Sequence, residues 1–236
     1  MPATSTAKNA LIVTISMGMG IGITLATQHW NQQRNQLANQ SPTKQKPALV
    51  SPLLLKGEPS MGRKDAPLTI VEFSDFECSY CRRFHQTVLA KLKQEYIEPG
   101  LVRFIHKDLP LPFHRQALPA AAAARCAGEQ NEYWTTYGAL FDGQSCLQCK
   151  GVVAIAREQG LDVTTLQACM NRDSTKALIS ANVSEAQLHG IRATPTFVIG
   201  PTRTDHTHRG EIVQGALPWT QFKTMLDAQL TALERS

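Results

Sequence analysis

The stretch Leu68-Thr69-Ile70-Val71-Glu72-Phe73, followed by Ser74-Asp75-Phe76-Glu77 and then Cys78-Ser79-Tyr80-Cys81, decides how this chain is read. Its first six residues are apolar and β-branched enough for a buried strand. From Cys78 to Tyr96 the residues Phe84, Val88, Leu92 and Tyr96 recur every four positions, which predicts an amphipathic helix; Pro99-Gly100 predicts its end. A strand therefore delivers a Cys-x-x-Cys pair to a helix start. Roughly half a positive charge and several unpaired N–H groups there favour a thiolate. The thiolate is the species that attacks a disulfide, and a stabilised one departs readily. The pattern points to thiol–disulfide exchange, with Cys78 as the exposed, attacking sulfur and Cys81, one turn inside, as the shielded, resolving one. A structural bridge or half of a zinc site is the other use of such a pair.

Working outward, Leu101–Ile105 predicts a second strand and hence a βαβ unit with parallel pairing and a right-handed crossover. Residues 114–189 then carry helical periodicity in about five segments: an Ala-rich run (Ala117, Pro119, Ala120–Ala124), Glu132–Phe141, Val152–Gln159, Val163–Met170 and Ser174–Leu188. Strand character returns at Thr196–Ile199 and Ile212–Gln214. A last helix is predicted from Pro218 to about Leu233, with Phe222, Leu226, Leu230 and Leu233 on one stripe. The expected fold class is α/β, ordered βαβ, helical insertion (about 114–190), ββα.

Three segments are expected along the chain: 1–28 a transmembrane signal anchor or signal peptide, 29–56 a polar flexible linker, and 57–236 the folded domain. Ala10–Thr27 is 18 residues without a charge, about 27 Å as a helix against a hydrocarbon core of roughly 30 Å. Its length favours an anchor over a cleaved peptide, although Thr24-Leu25-Ala26 is a passable cleavage site. Gly18-x-x-x-Gly22 could pack two such helices, or simply be glycines tolerated in a membrane segment. Residues 28–46 hold nine Asn or Gln and no acid, too little apolar surface for a core; Leu53-Leu54-Leu55 could begin an edge strand. A net charge of +5 without a Lys/Arg run excludes an obvious nucleic-acid surface. Asp205, His206 and His208 fall in the Pro201–Gly210 loop, read as a solvated hairpin rather than a metal site, and no cofactor is expected. His114 and Arg82-Arg83 read as surface or helix-start residues.

The order of elements, with Cys-x-x-Cys after the first core strand and Thr194-Pro195 ahead of Thr196–Ile199, resembles the DsbA family of thioredoxin-fold oxidoreductases. Phe73-Ser74-Asp75-Phe76-Glu77-Cys78, Cys126-Ala127-Gly128-Glu129-Gln130, Leu140-Phe141 and Ala193-Thr194-Pro195-Thr196-Phe197 carry the resemblance over residues 57–234. It implies a thioredoxin fold with an all-helical insertion, and a Cys78–Cys81 redox pair acting outside the cytoplasm. Thr194 and Pro195 would form a cis-proline loop opposite the pair, where Thr194 backbone groups could bond an extended substrate. Glu72 matches a buried acid thought to exchange protons with the resolving cysteine; otherwise it is a strand-end Glu facing water. Cys126 and Cys169 stand where relatives often carry cysteine, which implies a structural bridge. Cys146-Leu147-Gln148-Cys149 departs from the family and reads as a local disulfide, a second redox pair or part of another pairing. Ser79-Tyr80 replaces the Pro-His of the best-known member, removing one partner for the thiolate. The implied partners are reduced or unfolded proteins, a membrane reoxidant of the DsbB or VKOR type, and the membrane itself through the N-terminal helix. A reductase or isomerase kept reduced by a membrane partner is the alternative, and a tethered zinc or binding module using both Cys-x-x-Cys pairs is a remote one.

Overall fold

The computed structural model describes Trp30 and residues 48–235. The anchor reading of 1–28, its Gly18/Gly22 spacing and most of the linker lie outside the described residues. Among the described residues no helix is long and apolar enough to cross a membrane.

Among the described residues seven strands form: β1 (Leu53–Leu54), β2 (Ser60–Met61), β3 (Leu68–Ser74), β4 (Val102–Asp108), β5 (Thr196–Pro201), β6 (Thr207–His208) and β7 (Glu211–Gln214). Five of them make one sheet in the order β2-β4-β3-β5-β7, and β1 pairs with β6 separately. The β3–β4 pair is parallel, as the βαβ reading requires, while β2, β5 and β7 join antiparallel. β3 is buried along its whole length because both faces of the sheet are covered. Leu68 and Ile70 belong to one core cluster, Val71 and Phe73 to another. Strand alternation therefore puts Glu72 on the face of Leu68 and Ile70.

That face is roofed by helix α1, residues 79–97, in which two turns, His85–Leu89 and Lys93–Ile97, widen to π pitch. Phe84, Val88, Leu92 and Tyr96 are all buried. The Phe84 ring lies 4.6 Å from that of Phe197, 5.7 Å from Phe222 and 6.2 Å from Phe104, which fixes the first turn of α1 over the sheet. The chain reverses after α1 at Gly100, whose φ of +84° is open to glycine without strain.

The insertion comprises α2 (Ala117–Gly128), α3 (Tyr133–Asp142), a short turn Gln144–Cys146 leading into α4 (Leu147–Lys150), α5 (Val152–Arg157), α6 (Val163–Asn171) and α7 (Asp173–Leu188); α8 (Trp219–Glu234) closes the chain. The alanines of α2 are buried, their small side chains letting α3, α5, α6 and α7 all pack around it.

Four expectations shift. β4 runs on through His106, Lys107 and Asp108, where the polar residues suggested an end at Ile105. These side chains are buried because they are partnered: Lys107 Nζ meets Glu58 at 3.1 Å, Asn182 at 2.9 Å and Glu185 at 2.7 Å, and Arg125 bridges Asp108 and Glu58. Leu53 and Leu55, inside the span read as linker, are buried and belong to the folded unit. His208 is fully buried, its Nε2 3.2 Å from the Val198 carbonyl, so the 201–210 segment is not wholly solvated. His114, read as a surface or helix-start residue, sets its Nδ1 2.8 Å from the carboxylate of the buried Asp75.

Candidate active site

Cys78 caps α1, its φ and ψ of −72° and 120° turning the extended chain into the helix. Its backbone N–H donates to the Asp75 carbonyl at 3.0 Å, and its own carbonyl accepts from Arg82 at 3.1 Å. Asp75 anchors the approach: one carboxylate oxygen accepts from the Glu77 N–H, the other from the Leu111 N–H and faces the His114 ring. Glu77 reaches across to the start of α2, where its carboxylate accepts from the Gln116 and Ala117 N–H groups. The strand-to-helix corner is thus tied to the insertion by two acids.

Cys78 and Cys81 are both free thiols. Cys78 is only 6% exposed, less open than the sequence suggested, but Cys81 is fully covered at 0%, so Cys78 is the more accessible of the two. Covering Cys78 is the Thr194-Pro195 loop, whose peptide bond is cis. The thiol donates to the Thr194 carbonyl at 3.3 Å. The Thr194 hydroxyl, buried and without another partner among the described residues, is free to donate to the sulfur once it ionises.

The Cys78 thiol is pushed down to about 5. The Cys81 thiol, donating to the Cys78 sulfur, does most; burial opposes it; then the Thr194 hydroxyl and the N–H groups of Cys81 and Tyr80 add their share. The helix start contributes as the sequence argument expects, but its partner sulfur comes first. Burial drives Cys81 the other way, well above the usual thiol range, with its donation to Cys78 and the negative charge of Glu72 adding to it. The two sulfurs are therefore set apart: one ionised at neutral pH, one held as a thiol.

Glu72 is completely buried. Its Oε2 accepts from the Tyr137 hydroxyl at 3.0 Å, while Oε1 has no partner among the described residues. Burial pushes its carboxyl up to about 8, against the pull of Tyr137 and Ser74. A protonatable group at that value can exchange a proton near neutral pH. Behind it, Tyr133 meets His106 Nδ1 at 2.7 Å, and burial lowers His106 to about 3, which keeps that ring neutral.

Two residues of the site were not legible in the sequence. Tyr137 falls within the helical segment Glu132–Phe141, where no motif marks it. Gln144 carries no motif, yet its side-chain amide donates to the Phe76 and Cys78 carbonyls at 2.7 and 3.0 Å. The other cysteines are joined in two disulfides, Cys126–Cys169 between α2 and α6 and Cys146–Cys149 across α4. Cys146 and Cys149 are bonded to each other rather than offered to Cys78 and Cys81 as a four-thiolate set. Among the described residues no group of three or more His, Cys, Asp or Glu is placed to hold a metal ion.

A sheet of this order with a Cys-x-x-Cys pair at the mouth of its first long helix, faced by a proline loop and interrupted by helices, defines a thioredoxin fold of the DsbA type. The family model described as thioredoxin matches residues 55–227. In structure the chain is similar to α-DsbA1 of Wolbachia pipientis, with a TM-score of 0.68 and 24% identity, covering 77% of this chain and 94% of that one. In sequence it is similar to a probable disulfide bond formation protein D of Bacillus cereus, 28% identical over 59% of this chain and 68% of that protein. It is also 29% identical, over 66% of its length, to Na(+)/H(+) antiporter NhaA 3 of Salinispora tropica, but spans only 24% of that protein. The chain belongs to the thioredoxin family, with the fold seen in the DsbA structure.

Proposed function

We propose that this chain oxidises protein thiols through the Cys78–Cys81 pair, donating a disulfide to reduced or unfolded proteins outside the cytoplasm. The observation that carries this reading is the opposed pair of sulfurs, Cys78 held down to about 5 and Cys81 held well above the usual thiol range. A thiolate stabilised in the reduced form makes the corresponding disulfide an oxidant. A client thiolate attacks Cys78 Sγ, and the Cys78–Cys81 bond breaks. Cys81 leaves as a thiolate and takes up a proton, for which the buried Glu72 carboxyl beside it is the donor. A second client thiolate then attacks the mixed disulfide and releases Cys78, already stable as a thiolate. Thr194, with its carbonyl at the Cys78 sulfur, and Pro195 would hold the client chain alongside.

The setting follows from the same chemistry. Two further disulfides suit an oxidising compartment, and the uncharged Ala10–Thr27 stretch suits an anchor followed by a polar tether. Residues 1–28 would then be the anchor and the polar stretch after it the linker, with the catalytic domain under way by Leu53 and a membrane oxidase of the DsbB or VKOR type returning the pair to its disulfide. The test is the oxidation of a reduced, unfolded client protein, together with the equilibrium of Cys78–Cys81 against glutathione. The parent should oxidise the client, Cys78→Ala should not, and the couple should lie to the oxidising side. A Cys78→Ala protein as fast as the parent, or a couple as reducing as thioredoxin's, would overturn the proposal.

A further inference from the structure

The second Cys-x-x-Cys is built unlike the other non-catalytic disulfide. Cys126 and Cys169 are 1% and 4% exposed, whereas Cys149 lies open to solvent and Cys146 half so. Cys126–Cys169 closes a long stretch of chain, its partners 43 positions apart; Cys146 and Cys149 are three apart and their bond removes little freedom from the unfolded chain. What it does hold is local. It ties the ends of α4, four residues long, far below the length at which a helix persists unaided. Leu147 is the one buried residue of that helix. A cleft bordered by Thr135, Asp142, Gly143, Cys146, Lys150 and Gln159 opens beside the disulfide. The turn leading into α4 begins at Gln144, the residue whose amide grips the Phe76 and Cys78 carbonyls.

We propose that Cys146–Cys149 is a second redox centre, reduced by an external dithiol, and that its state reaches Cys78 through Gln144. A thiolate of the dithiol attacks the open Cys149 Sγ; the Cys146–Cys149 bond breaks, and Cys146 leaves as a thiolate and is protonated. The second thiol of the reductant, deprotonated, attacks the mixed disulfide and releases Cys149. The pair gains two electrons and two protons, and the reductant departs as a disulfide. With the tie cut, α4 frays and Gln144 loosens its hold on the Cys78 carbonyl. Gln144 is thus a positioning residue for the helix start on which the Cys78 thiolate depends. The first half is independent of Cys78; the second rests on Cys78 being the reactive thiol proposed above.

The exchange is tested on the full chain carrying Cys78→Ser and Cys81→Ser, equilibrated in graded mixtures of reduced and oxidised dithiothreitol, with alkylated cysteines assigned by mass spectrometry. Cys146 and Cys149 should become reduced together under conditions that leave Cys126–Cys169 intact and the protein folded. Reduction only after, or together with, Cys126–Cys169 would overturn the proposal. The coupling is tested on full chains that retain Cys78 and Cys81, by the rate of iodoacetamide alkylation at the Cys78 peptide across pH 4–9. Cys146→Ser/Cys149→Ser should slow alkylation at pH 5 about threefold and move the profile upward, Gln144→Ala should do the same, and combining them should add nothing. Profiles that coincide with the parent's would overturn the coupling while leaving the proposed oxidase reaction standing.

Discussion

Replacing Cys81 by Ala should make Cys78 a weaker acid, and by an amount the structure sets. The Cys81 thiol is the largest of the influences that hold Cys78 at about 5. A hydrogen bond to a charged acceptor is worth about 1.5–3 kcal/mol, and one pKa unit corresponds to about 1.4 kcal/mol. Losing it should therefore raise Cys78 by about one to two units, to about 6–7. The Thr194 hydroxyl and the N–H groups of residues 80 and 81 remain, so Cys78 should still lie below an ordinary thiol. At pH 5 the thiolate fraction would fall from about half to about a tenth or less. The variant leaves Cys78 as the sole free thiol among the described residues, so absorbance at 240 nm against pH reads it directly. In the parent the Cys78 step stands apart because Cys81 titrates far higher. Cys81→Ser, which keeps a donor, should retain most of the depression. A Cys78 transition above pH 8 in the parent would refute the reasoning, as would coincident transitions in the parent and Cys81→Ala.

Thr194→Val should also raise Cys78, by less than Cys81→Ala because its hydroxyl ranks below the Cys81 thiol; the same titration checks it. Glu72 gives a pH dependence of opposite origin. Its folded value of about 8 lies above its ordinary 4.5, so between these pH values the unfolded chain is ionised there and the folded one is protonated. Stability from this group therefore falls as pH rises, by about 1.4 kcal/mol per unit and up to about 5 kcal/mol. Urea unfolding at pH 5 and pH 7.5 should show Glu72→Gln losing clearly less stability over that interval than the parent; equal losses would remove this account of the carboxyl. Cys126→Ala/Cys169→Ala should lower unfolding stability by about 4 kcal/mol at most, from the loop it closes, and leave the Cys78 titration unchanged.

Much of the domain could be read from the chain because local pattern and packing agree. The stripe Phe84, Val88, Leu92 and Tyr96 predicted the buried face of α1 even though two of its turns widen. The strand ends were less legible where burial depends on distant partners. His106, Lys107 and Asp108 look like the end of β4 until Glu58, Arg125, Asn182 and Glu185 arrive from other elements to pair or surround them. His208 was misjudged for the same reason, since its strand pairs with β1, where Leu53 stands 155 positions earlier in the chain.

For the site itself, the residue types at 72, 78, 81, 194 and 195, and a helix start under the first sulfur, were present in the linear order alone. The reading of Cys78 and Cys81 follows from helix polarity, which acts over a few neighbours; Glu72, Thr194 and Pro195 were marked by the resemblance to the DsbA family. That the Cys81 thiol matters more to Cys78 than the helix start does was settled only in three dimensions. So were the seat of Glu72 against Tyr137 and the grip of Gln144 on the Cys78 carbonyl. The Cys81 effect depends on which groups lose water, and the Tyr137 and Gln144 contacts on donors that meet across 65 and 66 residues of chain; burial of that kind exists only once the insertion has closed over the sheet.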